Sequence, residues 1–374
     1  MTTNAQDRVI YLLAGGTGGH VVPALTVAKA LAERGFTIRW LGTAAGIEAK
    51  LVPAAGFALD WLDIGGLRGK SVGQRLVMPL RLLRAAWVVR RLFLRHRPVL
   101  VIGMGGYAAG PGGLMARWLG IPLIIHEQNA IAGWTNRWLA PWARQTLAAY
   151  VGAFAKTPPH LTVVGNPVRP EITQIPPPDQ RGLARRGATR VLVLGGSLGA
   201  QAINEQVPVA LARIAAEHPL DIRHQTGVKH LSTTQAVYDR LRWSPASSVQ
   251  VQDFIGDMAE AYAWADFVIA RAGALTVAEI AVAGVGALFI PFPHAVDDHQ
   301  TKNAQPLVQA GAAVLVPQAQ MTVESLFAQL SPLLKDEDRL REMARAARQQ
   351  ALPKATETVV RICLETLNAT EVQA

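Results

Sequence analysis

Three times along this 374-residue chain an unbroken apolar run ends in a glycine-rich turn and passes into a helical pattern. Val9–Ala14 leads into GGTGGH (Gly15–His20), Val99–Ile102 into GMGGYAAGPGG (Gly103–Gly113), and Val191–Leu194 into GGSLGA (Gly195–Ala200). Apolar runs without alternation, separated by helical segments, predict parallel strands buried on both faces. Thr37–Leu41, Pro122–Ile125, Phe267–Ala270, Ala287–Pro291 and Ala312–Val316 extend the series, and an apolar helical pattern runs from Val22 to Glu33 before Gly35. The proline-rich stretch Pro167–Pro178 divides the strand–helix alternation into two sets. The expected fold is therefore α/β, two doubly wound Rossmann-like domains with a cleft between them. A terminal helix over Thr356–Leu367 is expected to pack back on the first domain.

Composition narrows the setting. One cysteine, Cys363, excludes a disulfide framework and a multi-cysteine zinc site. No leader is evident, because the first apolar run meets glycine after six residues, and no apolar stretch is long enough to span a bilayer, so the chain reads as cytoplasmic. The net charge of +10 is uneven: residues 1–170 hold 19 Lys+Arg against 6 Asp+Glu, and residues 171–374 hold 18 against 21. Between Asp63 and Glu127 there are ten basic residues and no acid. Such asymmetry points to an anionic partner: nucleic acid, a phosphorylated substrate or a bilayer surface.

The glycine turns suit phosphate, since glycine permits close approach and the following helix presents free N–H groups and a positive dipole end. Two familiar nucleotide motifs fail. From Gly16 the final glycine of G-x-G-x-x-G falls on Val21, and no acid follows the second strand at Leu41–Thr43. Gly69-Lys70-Ser71 resembles the tail of a P-loop, but Ile64 stands where its first glycine belongs. A hydride-transfer enzyme and a P-loop ATPase are both disfavoured. The segment Arg271–Glu279 follows the strand Phe267–Ala270 directly, so a helix beginning near Ala274–Thr276 could hold a diphosphate while Glu279 offers two oxygens to a ribose diol. Asp298–Asn303 then supplies side chains suited to sugar hydroxyls.

In order along the chain, GGTGGH, Gly65–Lys70, GMGGYAAGPGG, His126–Asn129, Gly165–Arg169, GGSLGA, Phe254-Ile255, Gly273–Glu279 and His299–Asn303 resemble the MurG family, bacterial transferases that add N-acetylglucosamine to lipid I in peptidoglycan synthesis. The resemblance covers nearly the whole chain and departs at Leu198, where the family more often has Gln. It implies GT-B architecture, with residues 1–166 as an acceptor- and membrane-facing domain joined by the C-terminal helix 352–374, and residues 167–351 as the UDP-sugar-binding domain. It implies that Ile255 meets the uracil through its backbone and Glu279 holds the ribose. Ser197 with Ala274, Leu275 and Thr276, followed by Val277 and Ala278, would line the diphosphate, and Gln300 and Asn303 the sugar. From the first domain Thr17, Gly18, Gly19 and Asn129 would close over the reacting end, with Arg169 near the phosphates. The implied reaction is an inverting transfer from UDP-N-acetylglucosamine to the C4 hydroxyl of lipid I, with no cofactor and no metal, helix N–H groups and Arg meeting the diphosphate charge. The sole D-x-D pattern, Asp336–Asp338, lies in a charge-rich helical stretch and reads as solvated surface. His20 is the expected general base, since imidazole titrates near neutrality, with His126 and Glu127 as competitors. Another GT-B acceptor, a nucleotide-sugar epimerase and a non-enzymatic basic module remain as alternatives.

The basic stretch contains a helical pattern over Pro79–Arg97 with two apolar faces, Leu80, Leu83 and Trp87 on one and Leu82, Ala86, Val89 and Phe93 on the other, beside a stripe of Arg81, Arg84, Arg91 and Arg95. One apolar face is enough to pack on a sheet. The second, rimmed by arginine, predicts an interfacial contact with an anionic membrane through Leu76–Arg97. No nucleic-acid motif accompanies the charge, and the apolar residues between the arginines are mostly Leu and Val, so nucleic acid is not an expected partner. The expected location is peripheral, at the cytoplasmic face of the inner membrane.

Overall fold

The structure is a computed structural model, and it describes residues 8–63, 78–181, 187–196, 199–293 and 298–373. The expectations for Gly65–Lys70, Leu76, Ser197 and Leu198 lie outside these. The chain forms two compact units, Met1–Val168 with Pro353–Ala374, and Arg169–Leu352.

The first unit is a seven-stranded, wholly parallel sheet. Its strands are β1 (Val9–Leu13), β2 (Thr37–Gly42), β3 (Ala58–Trp61), β4 (Leu100–Gly103), β5 (Leu123–Glu127), β6 (Gln145–Ala148) and β7 (Leu161–Val163), in the order β3-β2-β1-β4-β5-β6-β7. The central strands are apolar throughout because both faces are covered. On one face α1 (Gly18–Ala32) packs with the C-terminal helix Ala355–Gln373, whose Val359, Val360, Cys363 and Leu367 share a core with Ile10, Leu12 and Ile102. Cys363 is fully buried there, and desolvation pushes its thiol up to about 12. A short helix α2 (Glu48–Ala54) follows β2. On the other face lie α3 (Met78–His96), α4 (Ala109–Trp118) and α5 (Trp134–Leu139), the last continued by a turn of 3-10 helix, Ala140–Trp142.

The second unit has six parallel strands: β8 (Thr189–Leu194), β9 (Leu220–Gln225), β10 (Ser248–Gln252), β11 (Phe267–Ala270), β12 (Gly286–Phe289) and β13 (Ala313–Leu315). Their order is β10-β9-β8-β11-β12-β13. Helices α6 (Gln201–Ala215), α7 (Ala274–Ala283) and α8 (His299–Gln309) are the crossovers that matter for the site.

Both orders reverse direction once, between β1 and β4 and between β8 and β11. In an open parallel sheet the strand ends diverge at such a point and leave a crevice beyond their carboxyl ends. GGTGGH follows β1 and GMGGY follows β4; GGSLGA follows β8 and Arg271–Gly273 follows β11. All four predicted ligand loops therefore stand at switch points.

Candidate active site

In the first unit the two glycine loops touch backbone to backbone. Gly106 has φ +86°, and a Cβ there would lie 2.5 Å from the Gly15 carbonyl oxygen. Only a residue without a side chain admits that approach. The loop after β1 is pinned from below by Glu48, which the sequence reading missed. Its fully buried carboxylate accepts hydrogen bonds from the Gly16 amide (2.9 Å), the Thr43 amide (3.0 Å) and the Thr43 hydroxyl (2.8 Å). Nothing local marks Glu48 for this task, since the contacts come from segments 5 and 32 residues away.

Helix α1 begins at Gly18, four residues before the predicted pattern, so Gly18, Gly19 and His20 form its first turn, and Thr17 is its N-cap residue. His20 is half-buried, with Nδ1 3.4 Å from Thr17 Oγ1. Its ring lies against the second loop, where a Cβ on Gly105 would come 2.8 Å from Cδ2. The competing candidates are committed elsewhere. His126 is fully buried, its Nε2 2.9 Å from the Gly165 carbonyl and its Nδ1 3.2 Å from Gln128 Nε2. A carbonyl can only accept, so Nε2 carries the proton, and desolvation lowers the ring to about 4. The buried Glu127 carboxylate accepts from the Asn129 amide and side chain and from the Gly133 amide and Asn136 Nδ2, at 2.8 to 3.2 Å. It thus fixes the loop that presents Asn129.

In the second unit α7 starts at Ala274, with Gly273 as its N-cap residue. The first-turn amides of Ala274, Leu275 and Thr276 point out of the helix end, the geometry that attracts phosphate. Leu275, Thr276 and Ala278 are half-buried, whereas the Val277 side chain is buried and can contribute only backbone. Glu279 is also buried: its Oε1 receives Arg169 Nε (3.0 Å) and Nη2 (2.8 Å), and its Oε2 the Tyr262 hydroxyl (3.3 Å). Burial raises the Glu279 carboxyl above its usual range against the pull of Arg169, and pushes the Tyr262 phenol well up. The Ile255 amide donates to Gln225 Oε1 at 3.0 Å, which leaves its carbonyl as the group able to meet a base. Gln300 Oε1 accepts from the Phe292 amide at 2.9 Å. Asn303 is fully buried with Nδ2 3.2 Å from the Ala272 carbonyl, so it braces the turn before α7. Arg271 opens the segment that leads from β11 into α7. Its guanidinium ties that turn to the Ile290 and Pro291 carbonyls (3.0 Å each) and to Gln318 (2.6 Å), and burial lowers it to about 10, still a cation at neutral pH.

Asp336 caps the helix Glu337–Gln349 through the Arg339 amide, and Glu337 and Asp338 pair with Arg341, so the D-x-D pattern serves a helix start. No group of His, Cys, Asp and Glu able to hold a metal occurs among the described residues.

Along α3, Ala85, Val89 and Phe93 are buried against the sheet, while Leu82, Leu83 and Trp87 are exposed. Leu82, grouped from sequence with Ala86, Val89 and Phe93, is therefore exposed where Val89 and Phe93 are buried. Leu83, Trp87 and Arg90 with Leu114, Arg117 and Trp118 of α4 line an open apolar groove of about 850 Å³. Arg91 stacks over Trp87 (4.7 Å) and Arg90 over Trp118 (5.7 Å). No described helix is long and apolar enough to cross a membrane.

The two units, each doubly wound with glycine loops at its switch point, have the GT-B architecture. The N-terminal domain model of glycosyltransferase family 28 matches residues 10–148 and the C-terminal domain model residues 190–359. The chain is 49% identical to a Marinobacter nauticus protein over 98% of this chain and 99% of that one, and 50% identical to a Methylococcus capsulatus protein over 97% and 99%. Both carry the name UDP-N-acetylglucosamine--N-acetylmuramyl-(pentapeptide) pyrophosphoryl-undecaprenol N-acetylglucosamine transferase. The crystal structure of Acinetobacter baumannii MurG superposes with a TM-score of 0.82 at 42% identity, covering 96% of this chain and 99% of that one. The chain belongs to the MurG family. A UDP-GlcNAc 2-epimerase from Neisseria meningitidis, at 12% identity and a TM-score of 0.65, shares the fold alone.

Proposed function

We propose that this chain transfers N-acetylglucosamine from UDP-N-acetylglucosamine to the C4 hydroxyl of the muramyl sugar of lipid I, giving lipid II, at the cytoplasmic face of the inner membrane. The observation that carries the reading is near-half identity over essentially full length to transferases so named. The occupation of both switch points by phosphate-suited loops supports it.

In this reading residues 167–351 bind the donor and residues 1–166, with helix 352–374, bind the acceptor. Ile255 meets the uracil through its carbonyl, and Glu279 accepts from the ribose diol. The ribose would then replace Arg169 as partner of Glu279, leaving the guanidinium for the diphosphate. The amides at Ala274–Thr276, continued by Val277 and Ala278, with Ser197, face the diphosphate, while Gln300 and Asn303 face the sugar. His20 takes the proton of the attacking hydroxyl as its oxygen bonds to the anomeric carbon. The bond from that carbon to the diphosphate breaks on the opposite side, so configuration inverts and UDP leaves with the electron pair. Thr17 orients the ring, and Gly18, Gly19 and Asn129 line the acceptor side. The exposed face of α3 and its groove lie on anionic lipid.

The test is transfer of labelled sugar from UDP-N-acetylglucosamine to a lipid I analogue. Product at rates saturable in both substrates is expected; epimerised donor, or no turnover of either substrate, would overturn the reading. A general base contributes ~10²–10⁴-fold, so His20→Ala at saturating donor should lose at least a hundredfold in turnover, and a loss below tenfold removes the base role.

A further inference from the structure

Helices α3, α4 and α5 cover one face of the first sheet as a single layer. Val89, Phe93, Met115, Ala116 and Leu139 share one core with Tyr11 and Ile125. The outer side of this layer carries five of the chain's nine tryptophans, of which Trp87 and Trp118 flank the groove already described. The other three, Trp134, Trp138 and Trp142, recur every fourth residue and so stand one above another on one side of α5 and the turn that continues it. The Trp134 and Trp138 rings are parallel within 1° at 6.3 Å, and Trp142 meets Trp138 edge-on at 4.7 Å. Their exposures are 69%, 40% and 39%.

A monomer surface rarely leaves so much contiguous apolar area to water. The ladder is also not isolated: Arg117 lines both the α3–α4 groove and the neighbouring hollow formed with Pro122, Pro141, Trp142 and Arg144. Charge indicates what covers the surface. Between Asp63 and Glu171 the only acid is Glu127, which is buried, against 14 Lys+Arg in the same stretch. Indole, apolar in body with a polar N–H, favours the headgroup level of a bilayer, where arginine meets lipid phosphate.

We propose that Trp134, Trp138 and Trp142 form a second interfacial anchor, seated in the headgroup layer of an anionic bilayer beside the α3–α4 patch. Two anchors on one rigid layer fix its orientation, whereas one would let the protein pivot. The proposal rests on the membrane reading above, and the experiment separates the two.

The full-length protein is sedimented with vesicles of phosphatidylglycerol and phosphatidylethanolamine, or of phosphatidylcholine alone, and tryptophan fluorescence is followed with brominated lipid at saturating vesicle concentration. Wild type is compared with the L83S/W87S and W134Q/W138Q variants, and with W134Q alone should the double variant melt early. Wild type is expected to favour the anionic vesicles. W134Q/W138Q should lose about tenfold in affinity, about 1.4 kcal/mol, and a matching share of the bromine quenching. Undiminished affinity and quenching in W134Q/W138Q, with loss confined to L83S/W87S, overturns the ladder and leaves the membrane reading standing. Equal binding to phosphatidylcholine overturns the anionic partner. Failure of wild type to bind either vesicle overturns both.

Discussion

Replacing Gly106 by Ala tests whether the contact between the first unit's two glycine loops sets the reacting geometry. The added Cβ would lie 2.5 Å from the Gly15 carbonyl oxygen and 2.9 Å from its amide nitrogen, where ordinary contact begins at 3.4 Å. The loops must therefore separate by about 0.9 Å. The backbone at φ +86° adds strain of roughly 1–2 kcal/mol for any residue with a Cβ. Gly120 separates the two effects, because it has φ +70° with nothing within 4 Å of its Cβ position. Misplacing reacting groups by about 1 Å can cost ~10²-fold in rate. G106A should thus lower kcat by roughly 30- to 100-fold at saturating donor and acceptor. G120A should lose about 1–2 kcal/mol of stability and keep kcat within twofold. The assay is labelled-sugar transfer alongside thermal denaturation of both variants. If G106A turns over within threefold of wild type while losing no more stability than G120A, the loop contact has no part in positioning.

Glu48→Ala removes the acceptor of three hydrogen bonds, two of them buried, and should destabilise the first unit by about 3 kcal/mol, read from urea unfolding followed by a probe in that unit. A change under 1 kcal/mol would show that water replaces the carboxylate freely. Acid should weaken both units, because burial lowers His126 to about 4 and His224 to about 3. A histidine whose folded value is depressed leaves stability intact above its ordinary 6.5 and loses it as pH falls, at about 1.4 kcal/mol per pH unit. Each unit should be about 2 kcal/mol less stable at pH 5 than at pH 7. Equal thermal midpoints at the two pH values would refute the assignment of neutral, buried rings.

The central strands were legible because burial on both faces demands unbroken apolar sequence, and Phe267–Ala270 matches its prediction residue for residue. The sheet margins were not. In β3, ALDW, and β10, SVQVQ, the outer positions face solvent and the apolar signal fades. β9, LDIRHQ, hides His224 between Asn204 and Tyr238, at 3.0 Å each, a polar chain that only the folded unit can satisfy. The start of α1 was missed for a related reason: glycine disfavours helix interiors, yet Gly18 and Gly19 sit in a first turn where close approach matters more. Glycine spacing, the helix at Ala274 and the exposed face of α3 could be read locally. Glu48, the Arg169–Glu279 pair and the burial of Asn303 depend on partners distant in sequence.

The C-terminal helix has a consequence for synthesis. Residues of the first unit's core, among them Val359 and Cys363, are the last part of that core to leave the ribosome, whereas the second unit is one continuous stretch, Arg169–Leu352. The second unit can thus complete its fold while the first still exposes the side of its sheet that Ala355–Gln373 will cover. Order of emergence and order of completion are reversed, and any chain cut short after Leu352 would carry a finished second unit beside a first unit with an open core.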